Sequence, residues 1–222
     1  MQIRRLYNEQ LNDLRREVVR LGAMTGEAIG AGTQALLASD LALAERVVAG
    51  DQPIDDLAHV IEGMACQLMA LQQPTASDLR YLVTVLRVVH EIERSGDLMT
   101  SIAKSARRLY PDELAPRMRG IIDRMGTQAA TQLELAIDAF ATGNADRAAA
   151  LDDMDDVMDE LQRDLYRAIF DLDANDERAL HRAVQVALLA RFFERIADHA
   201  VNIGHRVRFM VTGRFHFETE GG

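Results

Sequence analysis

Two short stretches carry most of the chemistry in this 222-residue chain. In HEIERSGDLMTSI, residues 90–102, Glu93 and Asp97 stand four apart. In FFERIADHAVNIG, residues 192–204, Glu194 and Asp198 do the same. On a helix that spacing sets both carboxylates on one face. There like charges repel by roughly 0.2–0.5 kcal/mol when exposed, and burial adds a desolvation cost. Two further pairs stand upstream, Asp51 with Asp55 in DQPIDDL and Asp155 with Asp159 in DDVMDEL. Oxygen-only sets suit hard or borderline cations such as Mg, Mn, Fe or Zn. The competing reading is a solvated acidic face with local ion pairs. Arg94 lies three residues before Asp97, and Arg195 three before Asp198. Spacing alone leaves both readings open.

The elements that would hold these residues are helices. The chain has no Trp and four Pro, with 48% apolar residues, a mix poor in strand formers. Six helical segments are predicted, about 2–38, 41–72, 77–109, 116–142, 146–172 and 177–211. They are punctuated by Ser39-Asp40, Gln73-Pro74, Tyr110-Pro111, Gly143-Asn144 and Asn175-Asp176. The tail RFHFETEGG is expected to be frayed or partner-dependent.

A stripe of period near 3.6 runs through Val85, Val88, Ile92, Met99, Ile102, Ala106 and Leu109. A second runs through Val186, Leu189, Phe193, Ile196, Ala200, Ile203, Val207 and Met210. The two differ by 101 positions, with Ser95 standing where Ile196 does. Upstream the offset is 104, matching DQPIDDL to DDVMDEL, Ser39-Asp40 to Gly143-Asn144 and Leu21-Gly22 to Met125-Gly126. A three-residue deletion in one loop reconciles the offsets. The expected architecture is all-α, two tandem antiparallel three-helix bundles, over 1–112 and 113–213, with a tail over 214–222.

The repeat also sets the acidic pairs level. In a hairpin turning at Pro74, Asp51 lies at the height of Asp97 and Asp55 at that of Glu93. In a hairpin turning at Asp176-Glu177, Asp155 lies level with Asp198 and Asp159 with Glu194. Four carboxylates then converge in each half, provided the helices rotate them inward. Gly96 and Ala197 stand at equivalent places and would leave room for a close neighbour.

Other features exclude more than they propose. A net charge of −10 argues against nucleic acid. Cys66 stands alone, so it builds neither a disulfide nor a Cys-based zinc site, and it is read as a small core residue. No membrane span or signal run is read, and a cytoplasmic protein is expected. Asp56, His59, His199 and the acidic run LDDMDDVMDE are read as surface or structural. No Glu-x-x-His pair, Gly-rich phosphate loop or nucleophile–base set occurs, so no catalytic site is read. Gly22, Gly26 and Gly30 form a small-residue face, read as close helix packing or as a dimer contact.

The doubled (Glu/Asp)-Arg-x-(Gly/Ala)-Asp-x4-Ile and Asp-x-x-(Ile/Met)-Asp-x-Leu motifs resemble those of the PhoU family. The resemblance spans almost the whole chain, repeat included. It implies a cytoplasmic regulator, held at the inner membrane only through partners and expected as a homodimer. The implied partners are a phosphate ABC transporter and a membrane sensor histidine kinase, with phosphate-starvation genes repressed when phosphate is plentiful. It also implies multinuclear iron or zinc clusters on Asp51, Asp55, Glu93 and Asp97, and on Asp155, Asp159, Glu194 and Asp198. Arg94, Arg195 and Asn202 would support these ligands or face a partner. Ser101 stands where the family pattern has Asn, so any such support is expected in the second half only. Two other readings use the same residues, a metal-dependent phosphohydrolase and a metal-free helical scaffold.

Overall fold

The structure, a computed structural model, describes residues 2–72, 74–171 and 177–214. Among them there is no strand. Seven helices run α1 (Gln2–Ala38), α2 (Leu41–Ala49), α3 (Asp51–Gln72), α4 (Ala76–Leu109), α5 (Pro116–Thr142), α6 (Ala145–Phe170) and α7 (Glu177–Thr212). The predicted turn at Asn175-Asp176, Gln73 and the tail from Phe215 lie outside the described residues.

The predicted second helix is two. Gly50 ends α2, donating to the carbonyls of Arg46 and Val47, and Asp51 opens α3. Pro53 is the cause. It has no N–H for the Ala49 carbonyl, and its ring crowds that turn. The repeat-equivalent residue is Val157, and α6 runs through unbroken. Asp51 therefore sits in a first helical turn, while Asp155 sits in mid-helix.

The two halves turn alike before this point. The Asp40 carboxylate accepts from the Leu43 N–H, and the Asn144 side chain accepts from the N–H groups of Asp146 and Arg147. One residue earlier, Ser39 and Gly143 both take left-handed conformations, with φ of 52° and 62°. Asp40 N donates to Ala35 O at 2.9 Å, and Asn144 N to Ala139 O at 3.0 Å. This is one helix-stop motif built twice, 104 positions apart.

The stripe residues of α4 are all buried, as are those of α7 except Met210, which packs partly buried against the core. Ser95, the polar exception, is fully buried and donates its hydroxyl to the Glu91 carbonyl at 2.9 Å. Helices α4 and α7 share the most extensive contact, and α1 packs on α5, so the two halves join through a common centre. A Cβ placed on Gly22 of α1 would come within 2.6 Å of Ile137 on α5. One placed on Gly126 of α5 would come within 2.4 Å of Thr33 on α1. Gly126 is the repeat mate of Gly22, and Ile137 that of Thr33. The two helices thus cross antiparallel about a pseudo-two-fold axis, with a glycine at each flank for close approach. Gly204 does the same for α7 on α6, where a Cβ would meet Ala148 O at 2.9 Å. Among the described residues, no helix is long and apolar enough to cross a membrane.

Candidate metal centre

Helices α3 and α4 position the first acidic set, and α6 and α7 the second. Gly96 on α4 faces Asp51 and Ile54 of α3, so Asp51 lies at the level the hairpin requires. In the second half, Gly204 lies on Ala148 and Leu151, and Asp152 takes His205 at 3.0 Å and Arg208 at 3.3 Å. This register brings Asp155 into the field of Asp198.

The carboxylates feel one another. Burial raises the Asp55 carboxyl, and Asp51, Asp97 and Glu93 raise it further. Burial also raises Asp51. Asp97 adds to that, while Thr100 and Lys104 pull the other way. In the second half, burial, then Asp198 and Asp159, push Asp155 up to about 6. Glu194 and Asp198 are raised by burial first. Asp198, Asp159 and Asp155 add for Glu194, and Asp159 for Asp198, each opposed by Arg191. Asp97 and Asp159 are exposed, and the other six carboxylates are half-buried.

Three oxygens of the sets, Asp55 Oδ1, Asp155 Oδ1 and Glu194 Oε2, are buried with no hydrogen-bond partner. Buried unpaired acceptors with raised carboxyl pKa values are what a cation would relieve. The donors are all oxygen, which suits Mg, Mn, Fe or Zn. Yet among the described residues no three acidic, His or Cys side chains are assembled as a ligand shell. Each half offers a shared electrostatic field and at least one orphaned carboxylate oxygen. Gly96 is not needed for clearance. A Cβ there would sit at an ordinary 3.5 Å from Asp51 Oδ1, as Ala197 illustrates in the second half.

The charged neighbours differ from expectation. Neither Arg94 nor Arg195 forms an ion pair within 4.0 Å with Asp97 or Asp198. The pair that forms lies one turn earlier, between Arg191 and Glu194. Its repeat mate is His90 with Glu93 at 3.5 Å. Arg191 stands three residues before Glu194, as Arg195 does before Asp198, and of these two spacings only the first closes into a contact. Asn202 turns away from the cluster and lies 3.5 Å from Glu91 Oε2. Ser101 donates to the Asp97 carbonyl at 3.2 Å.

Glu91 and Gln132 are two residues that spacing does not single out. His199, read as structural, is buried and meets Glu91 at 2.5 Å, a hydrogen-bonded contact joining α7 to α4 across the two halves. Burial alone would raise Glu91, but His199, Asn202 and His90 together hold it below its usual value. The signal was a carboxylate one residue from the apolar stripe. Gln132 on α5 is fully buried with both amide atoms unpaired, close enough to Asp155 to favour its charged form. Its signal was an amide amid Met125, Ala129, Leu133 and Ala136. Cys66, expected in the core, is exposed because it lies off the buried stripe of Ile61, Ala65 and Leu68.

A doubled all-helical bundle with an acidic helix pair in each half defines the class of this protein. The family model described as PhoU domain matches twice, over residues 18–106 and 122–207. The chain belongs to the PhoU family. It is 37% identical to the "Phosphate-specific transport system accessory protein PhoU homolog 2" of Mycobacterium tuberculosis, over 96% of this chain and 100% of the relative. It is 33% identical to the PhoU homolog of Caulobacter vibrioides, over 93% of this chain and 90% of that one. The crystal structure of PhoU from Pseudomonas aeruginosa superposes with a TM-score of 0.88 at 29% identity, covering 94% of this chain and 100% of that one. The phosphate transport system regulatory protein PhoU from Streptococcus pneumoniae gives 0.87 at 27% identity, covering 94% and 98%.

Proposed function

We propose that this chain is a regulatory adaptor of phosphate uptake. In this reading it bridges a phosphate ABC transporter and a membrane sensor histidine kinase, and it restrains phosphate-starvation genes when phosphate is plentiful. The observation that carries the proposal is full-length similarity, in both halves, to accessory proteins of phosphate-specific transport.

The acidic sets give the adaptor its internal ties. Asp51, Asp55, Glu93 and Asp97 would hold a cation between α3 and α4, and Asp155, Asp159, Glu194 and Asp198 one between α6 and α7. A bound cation supplies positive charge that cancels the mutual repulsion of these carboxylates. The orphaned oxygens of Asp55, Asp155 and Glu194 are the groups with most to gain. Arg191 already neutralises part of the second set, whereas His90 stands in its place in the first.

Protein purified without chelator should carry metal by elemental analysis, and Glu93→Ala with Glu194→Ala should lose most of it. Unchanged metal content would sink the assigned ligands. Deletion of the gene should switch on a phosphate-starvation reporter in high phosphate. A silent reporter would sink the regulatory reading.

A further inference from the structure

Two hollows lie along the crossing of α1 with α5. The first, of about 450 Å³, runs from Val19 to Glu27 on α1 and from Ala130 to Ala141 on α5. The second, of about 470 Å³, runs from Gly30 to Ala38 on α1 and from Arg119 to Glu134 on α5. Ala130 and Glu134 line both, so the hollows adjoin. Nine of the ten residues lining the first have their repeat mates, 104 positions away, lining the second. Ala23 answers to Thr127, and Ala141 to Leu37. The hollows are therefore mates about the pseudo-two-fold axis that sets Gly22 on Ile137 and Gly126 on Thr33.

The glycines divide by use. Gly22 and Gly126 are consumed by the helix crossing, whereas a Cβ on Gly26 or Gly30 would meet nothing within 4 Å. The backbone of α1 is open there to close approach by another chain. The charges are mostly negative. Glu27, Asp123 and Glu134 are exposed and join no ion pair within 4.0 Å among the described residues, while Arg119 is the single cation in the lining. Asp138 is taken by Arg147. A second copy of this chain seated here would set these carboxylates against its own, in a protein of net charge −10.

We propose that this face docks a two-fold-symmetric protein that offers one Lys- or Arg-bearing helical segment to each hollow, with its axis on the pseudo-two-fold axis of this chain. Paired, near-equivalent sites on one face are complementary to a partner that is itself paired. Acidic rims select a basic surface and steer its approach. The cytoplasmic loops of membrane proteins carry an excess of Lys and Arg. The inference thus rests on the adaptor reading and specifies where the transporter would sit.

The test uses the full chain and the phosphate ABC transporter of the source organism in nanodiscs, read by biolayer interferometry. Gly26→Leu and Gly30→Leu fill open space and improve helix propensity, so the melting temperature should hold or rise. Binding should nevertheless weaken at least tenfold. Glu27→Lys with Glu134→Lys should also lose binding and flatten its salt dependence. Mass photometry should find one chain per transporter. Wild-type binding that all these variants retain would overturn this surface and leave the adaptor reading intact. Two chains per transporter would overturn the shared axis. No binding by the wild-type chain would overturn both the surface and the transporter part of the functional reading.

Discussion

Asp155 has the most strongly raised carboxyl of the two acidic sets, at about 6. A raised acid holds its proton more tightly in the folded chain than in the unfolded one. Its favourable contribution is present below the ordinary value of 3.8 and is lost as pH rises through about 6. Chelator-treated protein should therefore gain stability from this group as pH falls from 7 towards 5. Asp155→Asn should raise the melting temperature of the metal-free protein at pH 7 by about 2–4 °C, equivalent to about 1 kcal/mol once solvent screening is allowed for. The same substitution should lower metal uptake. A lower melting temperature in chelator would show that burial and repulsion do not govern this carboxylate. Which acids share a level was readable from their distances to the turns. Which cation each acid takes was not. The same spacing offers Arg191 to Glu194 and Arg195 to Asp198, and only the first pair closes.

At the scale of elements, the helix ends were legible wherever a residue forces them. Gly143 permits a left-handed stop, and Pro116 opens α5 at a position that needs no N–H. The break at Gly50 was equally present in the sequence, as Pro53, but the apolar rhythm through Ile54, Leu57 and Ile61 hid it. The repeated stop motif sets up a direct comparison. Ser39 adopts at φ 52° the conformation that Gly143 adopts at 62°, and a side chain there costs about 1–2 kcal/mol. Ser39→Gly should stabilise the protein by about 0.5–1 kcal/mol, after the added flexibility of the unfolded chain is subtracted. Gly143→Ser should do the reverse. Urea melts of the two variants check both, and a loss of stability in Ser39→Gly would mean that the Ser39 side chain holds the turn.

At the scale of the molecule, the two-bundle architecture followed from the offsets of 101 and 104, because like sequences build like units. How the units meet did not follow. Their contact joins residues that no hairpin relates, such as Gly22 with Ile137 and Glu91 with His199. The crossing of α1 and α5 is close to self-complementary, and the α4–α7 contact is less so. Leu98 occupies the repeat position of His199, so the contact with Glu91 has no mirror.

The crossing of α1 with α5 bears on what a lone first half would do. Thr33 needs a glycine opposite, and a second copy of residues 1–112 would supply one, with Gly22 taking the place of Gly126. Both flanks of the crossing would then be Gly22 on Thr33, and Thr33 is smaller than the Ile137 it replaces. Half of the chain is thus already its own complement, as though one ancestral unit had been joined to its twin. The fragment 1–112 should sediment as a weak dimer, held back by a Glu91 that faces Leu98 instead of His199. Glu91→Leu should tighten that dimer, and a strictly monomeric fragment carrying Glu91→Leu would mean that the two halves have diverged too far to stand in for each other.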